Sequence, residues 1–577
     1  MVRGLGVGML ASKSSVRSCV CMEPSVALQS KTSGKSSQPL TQAKWKRRFL
    51  PGWESIAIFL VILLVAGIRF RLLEMPLERD EGEYAYAGQL ILQGIPPYEL
   101  AYNMKLPGTY AAYALIMAVF GQTAAGIHVG VILVNAACIL LLFLITRRLF
   151  DPVAAVIAGS SFALFSIRPQ LLGLAGHATH FVALAALLSI YLLLRACDGQ
   201  TRSLFLWSGI FSGLAFVMKQ PGVFFGIFAM FYLIWRERQA SAPRAKLFRN
   251  LAAFSIGAIL PYALTCLLLL RAGVFQKFWF WTVSYARAYG SELTAGEGLH
   301  QLANRMELQK EHIGVICFLI VFGMAAFLWD CKLRPHSIFV LGLLGFSFLA
   351  ASVGWYYRGH YFIVLYPGLA ILAGAGVSSG SRLLRRVNAA RKLAFAPAII
   401  FALAFAYALY ADHAVYFVES AQEACREVYG VNPFPEAVAI ADYIRANSDK
   451  DARVAVLGSE PETYFYARRH SATGYIYTYP LTEEQAYASA MQLEFIREVE
   501  AAAPEFVVYV LIGRSWLRHA HSDDGIFRWA DAYTRDHYAL VGVADGGGDH
   551  DVYRWGADAQ TYRPRRPEVV LVYKRNR

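Results

Sequence analysis

Residues 79–86 read Arg-Asp-Glu-Gly-Glu-Tyr-Ala-Tyr, and this charged segment lies between long apolar runs. Three carboxylates, those of Asp80, Glu81 and Glu83, fall within four residues. A second polar stretch, Asn-Met-Lys-Leu-Pro-Gly, follows at 103–108 before the chain becomes apolar again. Ionisable groups are costly beside a hydrocarbon layer, so carboxylates in this position indicate a functional site.

The composition predicts a polytopic α-helical membrane protein. Of the 577 residues, 56% are hydrophobic and 17% are charged, whereas a soluble chain would have about 25% charged residues. The net charge is +14, and much of the excess lies in short loops between apolar runs, which indicates contact with lipid headgroups and not with nucleic acid. The eight cysteines are scattered and imply neither a disulfide framework nor a metal site.

The first apolar run, 53–70, follows a basic cluster at 44–48. The positive-inside rule therefore predicts a cytoplasmic N-terminus and an outward Asp80, although Arg69 and Arg71 oppose the rule. Segments 83–93 and 107–120 are too short for comfortable spans and are expected to lie along the interface. If 107–120 crossed the membrane, the later basic loops would face outward.

Eleven spans result, and they place the basic clusters in inner loops and the C-terminus outside. The predicted spans are 53–70, 125–146, 152–167, 180–195, 203–218, 221–235, 250–270, 313–329, 336–353, 361–377 and 394–411.

Three regions are predicted from these changes in composition. Residues 1–50 are expected to form a disordered cytoplasmic arm, residues 51–411 the membrane domain, and residues 412–577 an extracytoplasmic, soluble α/β domain. In the last region the pattern predicts helices at 435–447 and 482–503, and strands at 453–457, 506–512, 538–543 and 569–573. Residues 458–462 are expected to form a turn that leads into a helix.

The residues placed outside at membrane level suit transfer of a group from a phosphate-activated lipid. An attacking hydroxyl needs a carboxylate as base, and a departing phosphate needs cations or other donors. Asp80 is the predicted base and Glu81 its helper. The predicted substrate-binding residues are Lys105, Tyr84, Lys219, Arg358, His360 and Tyr361.

Each assignment has a structural alternative. Asp80 and Glu81 are also suited to capping a helix N-terminus. Lysines near an interface commonly extend their charge towards water, and Tyr84 fits an aromatic belt. His177 and His180 have a spacing that permits metal ligation, but no third ligand is evident, so no metal site is predicted.

Several stretches together resemble GT-C membrane glycosyltransferases, and most closely the RgtA/B/C/D-like group, which is related to aminoarabinose transferase and protein O-mannosyltransferases. The similarity covers roughly residues 54–411. It rests on Arg79–Ala85, Met104–Gly108, Arg147–Phe150, Gly213–Pro221 and His360–Phe362 with Pro367.

The resemblance implies a polyprenyl-phosphate-linked sugar as donor. The predicted acceptor is a lipid or cell-envelope glycan, and the sequence leaves open whether it is lipopolysaccharide, another glycolipid or a protein. The resemblance implies transfer with inversion on the outer face of a bacterial inner membrane, with Asp80 as base and Lys105 on the donor phosphate. It also leaves room for a divalent cation, which some relatives use. Relatives often have an acidic residue before the fourth span, where this chain has Thr179.

Other functions remain open from the sequence alone. A transporter or flippase of lipid-linked sugars would need polar groups at mid-membrane and paired repeats, and neither is visible. A protein O-glycosyltransferase would differ in its acceptor. A binding or assembly protein would act mainly through residues 412–577. The pattern favours the glycosyltransferase.

Overall fold

The computed structural model describes residues 52–199, 201–386, 391–546 and 552–576. The predicted cytoplasmic arm, 1–50, lies outside the described residues. The helices up to residue 411 are α1 Trp53–Arg71, α2 Arg79–Leu92, α3 Gly108–Phe120, α4 Ala124–Leu149, α5 Pro152–Phe165, α6 Ala178–Gly199, α7 Arg202–Met218, α8 Val223–Gln239, α9 Arg244–Arg271, α10 Phe275–Trp279, α11 Ala286–Gly290, α12 Ala295–Lys310, α13 Gly314–Ala326, α14 Ser337–Ala351, α15 Tyr366–Arg386 and α16 Ala396–Ala411.

Each predicted span coincides with one of these helices, namely α1, α4 to α9 and α13 to α16. Within the described residues, six of them (α1, α4, α6, α9, α14 and α16) are long and apolar enough to cross a membrane. The exact number of eleven spans and the orientation of the termini stay predictions. Helices α2 and α3 lie in the first loop, where interfacial helices were predicted, but α2 begins at Arg79 and not at Glu83.

Arg69, which opposes the positive-inside rule, has a structural function. Its side chain is buried at the end of α1 and donates hydrogen bonds to the carbonyl oxygens of Ser166 (2.8 Å), Gly173 (2.8 Å) and Leu174 (2.9 Å). The guanidinium group thus satisfies backbone acceptors in the loop that leads to α6, as buried carbonyl groups require. Arg69 therefore holds this loop against the end of α1.

After residue 411 the chain alternates helices and strands. The helices are α17 Ala421–Tyr429, α18 Phe434–Ala446, α19 Glu462–Ala467, α20 Tyr479–Thr482, α21 Ala488–Ala502, α22 Gly513–Trp516, α23 Gly525–His537 and α24 Ala557–Thr561. The strands are β1 Arg453–Leu457, β2 His470–Ser471, β3 Phe506–Val510, β4 Tyr538–Asp545, β5 Val552–Trp555 and β6 Val570–Arg575.

The strands form one mixed sheet in the order β2-β1-β3-β6-β4-β5. Strand β1 is parallel to β2 and β3, while β6 runs antiparallel to β3 and β4. The four predicted strands and the helix near 435–447 are present. The predicted helix at 482–503 is wrong at its start, because a separate helix ends at Thr482 and α21 begins only at Ala488.

The sheet packs directly against the first loop of the membrane part. Alternate residues of a strand point to opposite faces, so Val454 and Val456 share a core with Tyr84 of α2, whereas Leu457 packs with Tyr98 and Tyr102 on the other face. The described residues after 420 are therefore held by α2 and the loop that follows it through two apolar clusters. Whether they also form an independent soluble domain stays a prediction.

Two glycines permit this close approach. A Cβ atom on Gly82 would lie 2.6 Å from the backbone nitrogen of Glu462, and one on Gly474 would lie 2.2 Å from the ring of Tyr102. Both distances are shorter than van der Waals contact. The absence of a side chain at these positions lets the first turn of α2 contact the first turn of α19, and lets Tyr102 cover the loop after β2.

Candidate active site

Asp80 lies in the first turn of α2, and Glu78 fixes the start of that helix. The Glu78 carboxylate accepts a hydrogen bond from the Glu81 N–H (3.0 Å), and the Glu81 carboxylate accepts one from the Glu78 N–H (3.4 Å). This is a capping box, which satisfies otherwise unpaired N–H groups of the first turn. Capping is thus the function of Glu78 with Glu81, and Asp80 is free for another function.

The two carboxylate oxygens of Asp80 have different surroundings. Oδ1 accepts hydrogen bonds from Lys105 Nζ (2.7 Å) and from the hydroxyl of Tyr477 (3.0 Å). Oδ2 faces His177 Nδ1 at 3.5 Å and His360 Nε2 at 3.8 Å. The two imidazole rings stack with centroids 3.9 Å apart. Four side chains from distant parts of the chain therefore surround one carboxylate.

These neighbours keep Asp80 ionised. Burial alone would raise the pKa of Asp80, but Lys105, His177 and His360 hold it well below its usual range. Burial likewise opposes the charge of Lys105, and Asp80 and Glu83 outweigh it and raise the pKa of that ammonium group. Opposite charges at hydrogen-bond distance in a low-dielectric site produce these shifts. Asp80 and Lys105 are an ion pair at neutral pH.

The Lys105 ammonium group contacts two carboxylates and two aromatic rings. It donates to Asp80 and to Glu83, whose carboxylate also accepts a hydrogen bond from Tyr110. The rings of Tyr84 and Tyr477 lie on the ammonium group, with centroids 4.7 and 5.2 Å away. An ammonium group has three donors, so one donor remains for a ligand.

Two cavities meet at Asp80. The larger cavity, of about 550 Å³, extends towards residues 421–576, and the smaller cavity, of about 390 Å³, extends between the ends of α7, α11 and α14. Both are lined by Asp80, Met104, Lys105, Tyr289, Arg358 and His360. Asp80 can thus contact one molecule in each cavity at the same time.

The linings of the two cavities differ in chemistry. The larger cavity is rich in aromatic side chains, among them Tyr102, Trp281, Tyr285, Tyr289, Tyr477 and Tyr479. The smaller cavity has an apolar wall that includes Val182, Ala350, Val353 and Val364. Aromatic rings with polar tips suit a hydroxylated ligand, and an aliphatic wall suits a lipid chain.

Two half-buried cations, Lys219 and Arg358, line the smaller cavity. Among the described residues, neither Lys219 nor Arg358 forms an ion pair with a carboxylate. Lys219 lies over the ring of Tyr361 at 3.9 Å, and burial lowers its pKa to about 7. Arg358 donates a hydrogen bond to the Tyr289 hydroxyl (3.3 Å). Half-buried cations without a counter-charge are suited to bind an anion.

Six of the eight predicted site residues line a cavity. Asp80, Lys105, Arg358 and His360 line both cavities, while Lys219 and Tyr361 line the smaller one. The other two lie behind this surface: Glu81 is fully buried and contacts His128 and the Gly176 N–H, and Tyr84 is buried under Lys105. Their positions support a structural function for both.

Sequence reasoning missed several contributors to the site, among them His177, which faces Asp80, Glu78, Tyr477 and Arg287. Glu78 lines the larger cavity, and burial raises its pKa to about 7. Tyr477 lies 397 residues from the carboxylate it contacts. Arg287 of α11 lines the smaller cavity. No local pattern in the sequence pointed to Glu78, Tyr477 or Arg287.

His177 pairs with His360 and not with His180, whose ring lies 3.2 Å from the Gly173 carbonyl. In the described part of the chain, Asp80, His177 and His360 form the one group whose ligand atoms lie within 4.8 Å of one another, as a metal site requires. One oxygen and two imidazole nitrogens would suit a divalent cation such as zinc. Lys105 on the same carboxylate opposes that charge, so the fit is good in ligand type and poor in electrostatics.

Comparisons with known proteins agree with the predicted resemblance. Residues 105–264 match a family model described as dolichyl-phosphate-mannose-protein mannosyltransferase. Undecaprenyl phosphate-α-4-amino-4-deoxy-L-arabinose arabinosyl transferases of Pseudomonas aeruginosa are 27% identical over 230 residues, which are 37% of this chain and 40% of theirs. The match therefore spans well under half of the length of these relatives.

Solved structures share the fold over a longer range. ArnT from Cupriavidus metallidurans bound to undecaprenyl phosphate has a TM-score of 0.57 and 14% identity, covering 90% of this chain and 97% of that chain. The oligosaccharyltransferase of Archaeoglobus fulgidus in the apo form has a TM-score of 0.51 and 14% identity, covering 90% and 76%. The resemblance to GT-C membrane glycosyltransferases is confirmed, and these structural likenesses establish the fold.

Proposed function

We propose that this chain is a glycosyltransferase that moves a sugar from a polyprenyl-phosphate-linked donor to a hydroxyl group of a lipid or cell-envelope glycan. The matched relatives are named as transferases of a sugar linked to undecaprenyl phosphate, and one structural neighbour is described with undecaprenyl phosphate bound. The observation that carries the proposal is the position of the Asp80 carboxylate, which lies where two chemically different cavities meet.

The smaller cavity is the proposed donor site. Its aliphatic wall would hold the first part of the isoprenoid chain, and Lys219 and Arg358 would bind the phosphate because neither has an acidic partner among the described residues. Lys105 has one free donor for the same phosphate. His360 and Tyr361 complete this surface. Preorganised donors at the departing phosphate stabilise the charge that develops on it.

The larger cavity is the proposed acceptor site. Asp80 would accept the proton of the acceptor hydroxyl while the acceptor oxygen bonds to the anomeric carbon. The bond between that carbon and the phosphate oxygen breaks, and polyprenyl phosphate leaves into the other cavity. Because attack and departure occur on opposite sides of the anomeric carbon, the configuration inverts.

The low basicity of Asp80 is compatible with this function. A hydroxyl group becomes strongly acidic only as its oxygen begins to bond to an electron-deficient carbon, so the proton moves late in the reaction. A carboxylate that stays ionised is then more useful than a stronger base that is partly protonated beforehand. The ion pair with Lys105 provides that ionised carboxylate.

The Asp80→Asn variant tests the proposal. The exchange keeps the shape of the side chain and removes the charge, so we expect sugar transfer from a polyprenyl-phosphate donor to fall below detection while expression and membrane insertion persist. Asp442→Asn is the matched control, because Asp442 is exposed on α18 and, among the described residues, forms an ion pair with Arg445 alone. Near-normal transfer by Asp80→Asn would refute the assignment of the base.

The predicted location also belongs to this proposal. We place the chain in a bacterial inner membrane, with a cytoplasmic N-terminus and with the two cavities on the outer side. Loop accessibility to a membrane-impermeant cysteine reagent tests the orientation. Labelling of a cysteine introduced at exposed Asp442 from the cytoplasmic side only would contradict it.

A further inference from the structure

The chain after residue 411 contributes to the site around Asp80. The loop that follows β2 runs from Ala472 to Thr478, and Tyr477 within it is buried against Asp80. Its hydroxyl donates a hydrogen bond of 3.0 Å to Asp80 Oδ1, the oxygen that also accepts from Lys105. A side chain from the C-terminal part therefore contacts the carboxylate to which the proposed function assigns catalysis.

Tyr477 makes a second contact through its ring. The ring centroid lies 5.2 Å from Lys105 Nζ, and the Tyr84 ring centroid lies 4.7 Å from the same nitrogen. One tyrosine thus holds both members of the Asp80–Lys105 ion pair, by its hydroxyl and by its π face respectively. A cation within about 6 Å of the faces of two aromatic rings is attracted to both. These contacts limit the directions in which Oδ2 can point.

The loop that carries Tyr477 is fixed on both sides. The Tyr102 N–H of the first membrane loop donates to the Gly474 carbonyl (2.6 Å). Within the C-terminal part, Thr473 donates to Glu498 (2.6 Å) and the Thr478 N–H donates to the Ser459 hydroxyl (3.0 Å). A side chain on a loop with this many fixed points can orient its neighbour precisely, as a second layer of contacts does in other sites.

We propose that Tyr477 is a positioning residue that orients Asp80 for proton transfer, so that the C-terminal part completes the active site of the membrane domain. This inference rests on the proposed function. It assigns to residues 412–577 a direct part in the transfer step, in addition to covering the acceptor cavity. A membrane domain without these residues would retain the contacts of Asp80 with Lys105 and the two histidines and would lose one of the two hydrogen bonds to Oδ1.

The Tyr477→Phe variant of the full-length protein tests the inference. It removes the hydrogen bond and retains the ring over Lys105. We expect kcat to fall about 10- to 100-fold, the usual effect of a lost hydrogen bond to a charged group. The KM for the polyprenyl-phosphate donor should not change, because Tyr477 does not line the smaller cavity.

Tyr475→Phe is the matched control. Tyr475 is buried in the same loop, and its hydroxyl donates to Glu494 away from both cavities. This variant loses one hydroxyl of the same kind and should retain the wild-type kcat. If Tyr475→Phe and Tyr477→Phe lose the same activity, loop packing accounts for the effect and the inference is wrong. A kcat of Tyr477→Phe within twofold of wild type would also overturn it.

A second measurement does not depend on turnover. In a thermal-unfolding cycle, Tyr477→Phe should lower Tm in the wild-type background and have less effect in the Asp80→Ala background, where its partner is gone. Additive shifts would refute the contact. If the wild-type protein transfers no sugar, the proposed function fails, and this cycle still decides whether Tyr477 holds Asp80.

Discussion

The contact between α2 and α19 can be tested by adding one methyl group. In Gly82→Ala, the new Cβ would lie 2.6 Å from the backbone nitrogen and from the Cβ of Glu462. Ordinary contact begins at about 3.4 Å, so the two helices must separate by about 0.8 Å. A change of side-chain rotamer cannot relieve the clash, because two of the three nearest atoms belong to the backbone.

The displacement would act on Asp80, which lies two residues before Gly82 in the same helical turn. A shift of about 1 Å at a reacting group can lower a rate about 100-fold, and overpacking costs about 1–3 kcal/mol of stability. We therefore expect Gly82→Ala to have a kcat about two orders of magnitude below wild type and a lower Tm. Transfer from a polyprenyl-phosphate donor and thermal unfolding in detergent measure the two effects.

Gly67→Ala is the matched control. Gly67 is an exposed glycine within α1, and a Cβ atom there meets no atom within 4 Å. Alanine in a helix costs less than glycine, so this variant should unfold at or above the wild-type temperature and retain its activity. If Gly82→Ala has the Tm and transfer rate of Gly67→Ala, α2 and α19 are not in the contact that positions Asp80.

Three further variants or conditions test the electrostatics of the site. Burial lowers the pKa of Lys219 to about 7, so its charge is present below that pH and lost above it. Donor affinity, measured as KM, should therefore fall as the pH rises from about 6 to about 8.5. Lys219→Arg should abolish this dependence, because arginine stays charged over the whole range. Lys105→Met leaves Asp80 and fully buried Glu83 without a counter-charge, which should lower the free energy of unfolding by about 3 kcal/mol. The double variant Lys105→Met/Glu83→Gln should recover part of the lost Tm. No recovery would contradict the pairing of Lys105 with Glu83. Transfer should survive chelation because Lys105 already compensates the charge of Asp80, and a loss that zinc or magnesium restores would instead favour a cation on Asp80 and the two histidines.

The helices of the membrane part were largely predictable because each is marked by a long run of apolar residues. A run of apolar residues needs no partner to be identified, and each of the eleven runs coincides with a helix. The start of α2 was missed by four residues, because the charged segment 79–82 does not resemble an amphipathic helix and its stability comes from the capping box of Glu78 and Glu81. Capping by a glutamate is not among the strongest N-cap preferences.

The site was predictable to the extent that its residues are near apolar runs. Asp80, Lys105, Lys219, Arg358 and His360 were predicted as ionisable groups at one level of the membrane, and the structure brings these side chains to the same two cavities. Tyr477 could not be found in this way. It is one of 32 tyrosines, and its position depends on how the loop after β2 packs against the first membrane loop.

Glu81 was predicted to assist the base because it belongs to the same cluster of three carboxylates as Asp80. In a helix, adjacent residues point about 100° apart, and the surroundings of Asp80 and Glu81 differ accordingly. Asp80 lines the cavities while Glu81 turns inwards to His128 and the Gly176 N–H. Helix geometry alone does not decide which of them lines a cavity, because the adjacent residues Arg79 and Asp80 both line the larger one.

The meeting of two cavities at one carboxylate has a consequence for turnover. Under the proposed function, the spent isoprenoid carrier and the elongated glycan leave by different routes, and neither product blocks the entrance used by the other substrate. A new lipid donor can then be loaded while the acceptor is still in place. Such an enzyme needs no compulsory order of binding, and several sugars could be added in succession without release of the glycan wherever its chemistry presents a further hydroxyl group to Asp80.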